Sequence, residues 1–126
     1  MRGFLVDVET GDAREVDACG LADYYRLLRC NLVDITCRKI AGEWRDIVCD
    51  DEGLLKSGAR VSAVQEGKPA LVGSLLIFNC ADGEGEMQPL SAADVQALRG
   101  RLLPCIHGDG VAGVCIALDA DNAPAW

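Results

Sequence analysis

The sequence predicts an α+β domain, a mainly antiparallel sheet with two or three helices, occupying residues 1–126 as one unit. Three observations lead there. Apolar and polar residues alternate with period two through "NLVDITCRKIAGEWRDIVCDD", the pattern of half-buried strands. "ALVGSLLIFNC" is apolar nearly throughout, as suits a strand buried on both faces. Two further segments repeat apolar residues at helical spacing, Leu21, Tyr24, Tyr25 and Leu28 in one and Val95, Leu98 and Leu102 in the other.

The elements follow in chain order. "FLVDVETGDAREV" reads as a hairpin turning at Thr10-Gly11-Asp12, and "LADYYRLLRC" as one short helix. A second hairpin is expected around a three-residue loop, Ala41-Gly42-Glu43. That register sets Ile35 against Cys49, Cys37 against Ile47 and Arg38 against Asp46, so one face is apolar and the other pairs opposite charges. A two-residue loop would set Cys37 against Asp46 and Val33 against Asp50, and is disfavoured on that ground. "LLKSGARVSAVQEGKP" is a connection with a short strand at Val61 to Val64, and "ADGEGEMQP" an acidic, glycine-rich loop. Ser91 opens the second helix with Asp94 three residues on, a capping-box arrangement. After Pro104, "GVAGVCIALDA" is a last strand and "DNAPAW" a tail.

Composition limits the function classes. Net charge is −8, which opposes a broad basic face for DNA or RNA. Seven of the twelve basic residues nevertheless fall between Arg26 and Arg60, which suits either a pocket for a small anion or a set of salt bridges. No apolar run approaches the ~20 residues of a membrane span, and "MRGF" leads straight into strand alternation, so a cytoplasmic protein is expected. The seven cysteines are odd in number and form no C-x-x-C pair. They read as small buried hydrophobes in a reducing compartment, with no metal, disulfide or cofactor expected.

The candidate chemistry is sparse. In "DIVCDDEGLLK", Asp50, Asp51 and Glu52 lack the alternate-position spacing of a calcium loop and read first as the turn out of a strand. His107 in "PCIHGDG" is the only histidine, with neither a nucleophile elbow nor a recognisable nucleophile beside it. It reads as a loop histidine, and no catalytic residue is assigned. "LLIFNC" places Phe78 and Asn79 at the end of the most apolar strand. Taken alone, Phe78 reads as core and Asn79 as a turn cap. The alternative is a stacking face and an amide for a base edge or ribose.

"CNLVDITCRKIAGEWRDIVCDDEGLLK", followed by "VSAV" and then "LVGSLLIFN", resembles the phage-encoded anti-Thoeris signal sponges, the first Tad family, and more loosely a group of small domains on mobile elements. The likeness runs from Cys30 to Leu98. It implies an oligomeric binding protein, from dimer to hexamer, that holds cyclic ADP-ribose isomers, and in some members cyclic oligonucleotides, without cleaving them. A pyrophosphate wants arginine and an adenine an aromatic face. Arg38, Arg45, Arg60 and Arg101 are therefore the candidate phosphate partners, and Phe78 and Asn79 the candidate base or ribose contacts. Two other readings compete: an enzyme that degrades such signals, and an acidic protein-binding inhibitor or accessory domain.

Overall fold

The computed structural model describes residues 1–52, 59–80 and 86–122. Nine strands and two helices follow in the order β1 (Arg2–Asp7), β2 (Asp12–Asp17), α1 (Leu21–Leu28), β3 (Val33–Ile40), β4 (Glu43–Asp50), β5 (Val61–Gln65), β6 (Lys68–Val72), β7 (Leu75–Asn79), α2 (Ala92–Arg99), β8 (Leu102–Ile106) and β9 (Ala112–Leu118). The α+β class holds, with the strands divided between two sheets. The larger runs β2-β1-β7-β4-β3 and the smaller β6-β5-β9-β8. All pairings are antiparallel except β5 with β9, which is parallel.

The larger sheet is covered on both sides, and side-chain parity shows how. Leu5, Val48, Leu76 and Phe78 point toward α1, where Tyr24 and Leu28 meet them. Phe4, Val6, Ile47, Leu75 and Ile77 point the other way, against Ala63, Ile116 and Leu118 of the smaller sheet and Val95 and Leu98 of α2. A strand covered twice needs no alternation, which is why "LLIF" reads as a continuous apolar run. Burying these side chains, at about 1.5–3 kcal/mol each, is the main source of stability.

The second hairpin departs from expectation. β3 and β4 turn through two residues, Ala41 and Gly42, with φ of 55° and 82°, the positive pair that a type I′ turn requires. Cys37 therefore faces Asp46, Val33 faces Asp50, and Arg38 faces Arg45 rather than Asp46. The two-residue turn wins because its twist matches that of the strands it joins. The parity argument failed because β4 buries Ile47 on one face and Val48 on the other, so an all-apolar face was not needed.

Three other expectations are corrected. "ALVGSLLIFNC" is two strands in two sheets, broken at Gly73, which takes a φ of 77°. Val95 and Leu98 are buried on α2, but Leu102 already belongs to β8. β8 itself was not expected, and it carries Pro104 on the sheet edge, where a missing N–H breaks no ladder. Gly53, the stretch "LLKSG", the loop at 81–85 and the end of the tail lie outside the described residues. What is described of the tail is fixed to the fold: Asn122 accepts from the Lys39 N–H (2.7 Å) and donates to the Lys39 carbonyl (2.8 Å).

Candidate functional site

The N-terminus of α2 and the ends of β4 and β7 build a polar cluster around a buried arginine. Arg45 is 1% exposed. Its Nη1 donates to Asn79 Oδ1 (2.6 Å) and Asp94 Oδ1 (2.9 Å), and its Nε to the Ile40 carbonyl (3.4 Å). Asp94 also completes the capping box of α2 begun by Ser91, accepting from the Ser91 N–H and hydroxyl at 2.8 and 2.9 Å and from Asn79 Nδ2 at 2.9 Å. Burial raises the Asp94 carboxyl, but Arg45, Ser91 and Asn79 together hold it well below the usual carboxylate range. The expected capping box is present, and it anchors an arginine from the opposite half of the chain.

A fully buried carboxylate holds the first hairpin. Asp7 is fully buried and pairs with Arg29 (3.0 and 3.4 Å) and Arg14 (3.3 Å), while the Glu9 and Thr10 N–H groups donate to its Oδ1. Burial raises its pKa, but Arg29 and the two N–H groups prevail and bring it down to about 2 from 3.8. The folded value lies below the unfolded one, so its stabilisation is present above about pH 4 and is lost as pH falls through about 2. Urea unfolding across that window should lose on the order of 2 kcal/mol from this group, and the Asp7→Asn variant should start less stable and show a shallower acid limb.

The structure does not bring the six candidate ligand residues together. Arg45 and Asn79 bond each other but spend themselves on Asp94. Phe78 is fully buried, its ring 5.9 Å from that of Tyr24. Arg38, half-buried on β3, donates to Thr36 Oγ1 and to the Cys37 carbonyl. Arg101 is exposed just before β8. The strand-exit turn is as expected as far as it is described: Asp50 Oδ1 accepts from the Glu52 N–H at 2.9 Å.

Of the six, Arg60 lines a pocket among the described residues. This cavity of about 440 Å3 lies on the outer side of the smaller sheet, between Arg60, Val64 and Pro69 and the β8–β9 residues Cys105, His107 and Cys115. Three of the five guanidinium N–H groups of Arg60 are engaged, by Asp109 (2.7 and 3.1 Å) and the Val8 carbonyl (2.7 Å). His107 is 7% exposed, and its Nε2 is buried with no hydrogen-bond partner among the described residues. It lies over Gly113, where a Cβ would come within 2.5 Å of that nitrogen. The expected loop histidine is thus a pocket wall. The signal that could have found it is the parity of Leu103, Cys105 and His107, which puts them on one side of β8.

All seven cysteines are free. Cys37 and Cys80 have their sulfurs 3.8 Å apart. Burial, Cys80 and Asp46 push the Cys37 thiol up to about 11. Cys49, more deeply buried and beside Asp34, is also pushed up to about 11. Neither is an activated nucleophile.

Comparison with family models matches residues 1–103 to a domain of unknown function, DUF3846. The chain belongs to the DUF3846 family. The matched segment of this DUF3846 domain includes the buried Arg45–Asn79–Asp94 cluster and Arg60, and it stops before His107 and β9. Comparison with curated proteins and with solved structures finds no match. Among the described residues, no helix is long and apolar enough to cross a membrane.

Proposed function

We propose that the protein captures a small anionic, nucleotide-derived ligand in the Arg60–His107 pocket and holds it without chemical change. The observation that carries this reading is a cavity of about 440 Å3 that joins apolar walls to Arg60 and the imidazole of His107. That volume falls within the roughly 300–1,000 Å3 of small-molecule sites, which are mostly apolar with a few convergent polar groups. Val64 and Pro69 offer flat contact for a base, the His107 ring adds a further wall, and the remaining Arg60 N–H groups offer a phosphate contact. The resemblance to signal sponges supports the same ligand class, with cyclic ADP-ribose isomers first to be tried in the cytoplasm of an infected bacterium. Leu103, Ile106 and Val111 are exposed beside the pocket, and a second copy seated there would complete its enclosure.

The test is capture and release. Purified protein is mixed with a panel of cyclic ADP-ribose isomers and cyclic oligonucleotides, filtered, and the free ligand quantified before and after heat denaturation. Depletion of one compound and its intact return is the expected result. Arg60→Ala should weaken that capture by about 10–100-fold, the worth of a hydrogen bond to a charged group, while Arg101→Ala leaves it unchanged. Return of cleaved products would establish the enzyme reading instead. If every compound stays free, the sponge reading fails.

A further inference from the structure

We infer that Cys37, Asp46 and Cys80 form a binding site for a thiophilic divalent cation of the zinc class. The three residues come from three places in the sequence and are assembled by the larger sheet. Cys37 on β3 is the cross-strand partner of Asp46 on β4, Asp46 is in turn the partner of Phe78 on β7, and Cys80 follows β7 by one residue. Parity puts Cys37, Asp46 and Cys80 on the same face, the one that α1 covers at the other strands. One ligand atom from each lies within 4.8 Å of the other two.

The spacing suits a metal. Zinc–thiolate bonds of about 2.3 Å at tetrahedral angles separate two sulfurs by about 3.8 Å, and the Cys37 and Cys80 sulfurs stand 3.8 Å apart. A zinc–carboxylate bond of about 2.1 Å would place the oxygen about 3.6 Å from each sulfur, inside the observed limit. Two thiols and one carboxylate are a donor set that zinc, cobalt and cadmium accept and that magnesium and calcium do not favour. As each sulfur–metal bond forms, its thiol releases a proton to solvent.

The surroundings give the site a fixed back and an open front. Asp46 is 8% exposed, on a strand paired along both edges, so its carboxylate is held in place. Cys37 is exposed and Cys80 half-buried, so a metal can reach the sulfurs from solvent and keep a fourth position for water or an incoming ligand. Three protein donors and one open position are the arrangement of exchangeable and catalytic zinc, not of closed structural sites. This inference is independent of the Arg60–His107 pocket, since none of the three residues lines it.

Cobalt(II), as a spectroscopic stand-in for zinc, decides the matter on the reduced 126-residue chain. The expected result is stoichiometric binding with tetrahedral visible bands and a sulfur-to-cobalt charge-transfer band, all displaced by Zn2+. Trp44, half-exposed on the same face two residues before Asp46, should report binding as quenched fluorescence. Cys37→Ser and Cys80→Ser should each weaken binding by at least about 100-fold, the upper end of what losing even an outer partner costs, and diminish the charge-transfer band. Asp46→Asn should weaken binding while keeping that band, and Cys19→Ser, at an exposed cysteine outside both sites, should match the parent. Thermal unfolding of each variant shows that it is folded before it is titrated. Absence of saturable binding, or binding that survives both Cys37→Ser and Cys80→Ser in folded protein, overturns the site. So does air oxidation to a Cys37–Cys80 disulfide in a chain that takes up no cobalt after reduction.

Discussion

Arg45→Met should destabilise the fold by about 3–5 kcal/mol, the usual cost of removing one partner of a buried ion pair. Methionine fills much of the arginine's volume, so the loss would come from charge and hydrogen bonding more than from a cavity. Asp94 would keep Ser91 and Asn79 but lose its cation, and Asn79 Oδ1 would lose its donor at 2.6 Å. The Asp94 carboxyl would then titrate closer to the ordinary range, moving the acid limb of stability to higher pH. Arg45→Met combined with Asp94→Asn should cost less than the two changes summed, because the second removes the charge that the first strands. Urea unfolding of the four proteins measures that coupling. Additive losses would mean that Arg45 acts through packing alone.

Phe78→Ala is the second large effect, also about 3–5 kcal/mol. The ring is fully buried and packs over Gly3, whose Cβ position lies 2.6 Å from Phe78 Cε1. Glycine at that point of β1 is therefore a space reserved for the ring. Phe78→Leu, nearer in volume, should lose less. If Phe78 stacked on a ligand base, the leucine variant would lose capture out of proportion to its stability. The packing predicts unchanged capture wherever the variant is folded, and paired unfolding and capture measurements on it separate the two roles.

Local chemistry was legible in the sequence, and pairings between distant segments were not. The capping box at Ser91 and Asp94 depends on residues three apart, and α1 on one apolar stripe, so both could be read directly. The β3–β4 register could not, because a strand buried on both faces gives parity nothing to decide, and Ala41 does not advertise the positive φ that it adopts. β8 was hidden by Pro104, which an edge strand tolerates. Of the candidate residues, Arg60 reached a pocket and Arg45 reached a carboxylate, and nothing local distinguished them. Cys37, Asp46 and Cys80 were invisible as a group because cysteine spacing rules search along the chain, whereas a sheet gathers residues across it.

The position of β9 bears on how the molecule is made. It lies between β5 and β8, with Ile116 beside Ala63, so β5 and β6 wait for a partner synthesised about fifty residues later. Such long-range parallel pairing is slow to form. During translation the apolar flank of Phe4, Val6, Leu75 and Ile77, complete before α2 emerges, stays without the Ile116 and Leu118 that cap it. A nascent chain stalled before β9 is therefore a partly built protein with its inner surface in water, the state that invites chaperones or aggregation.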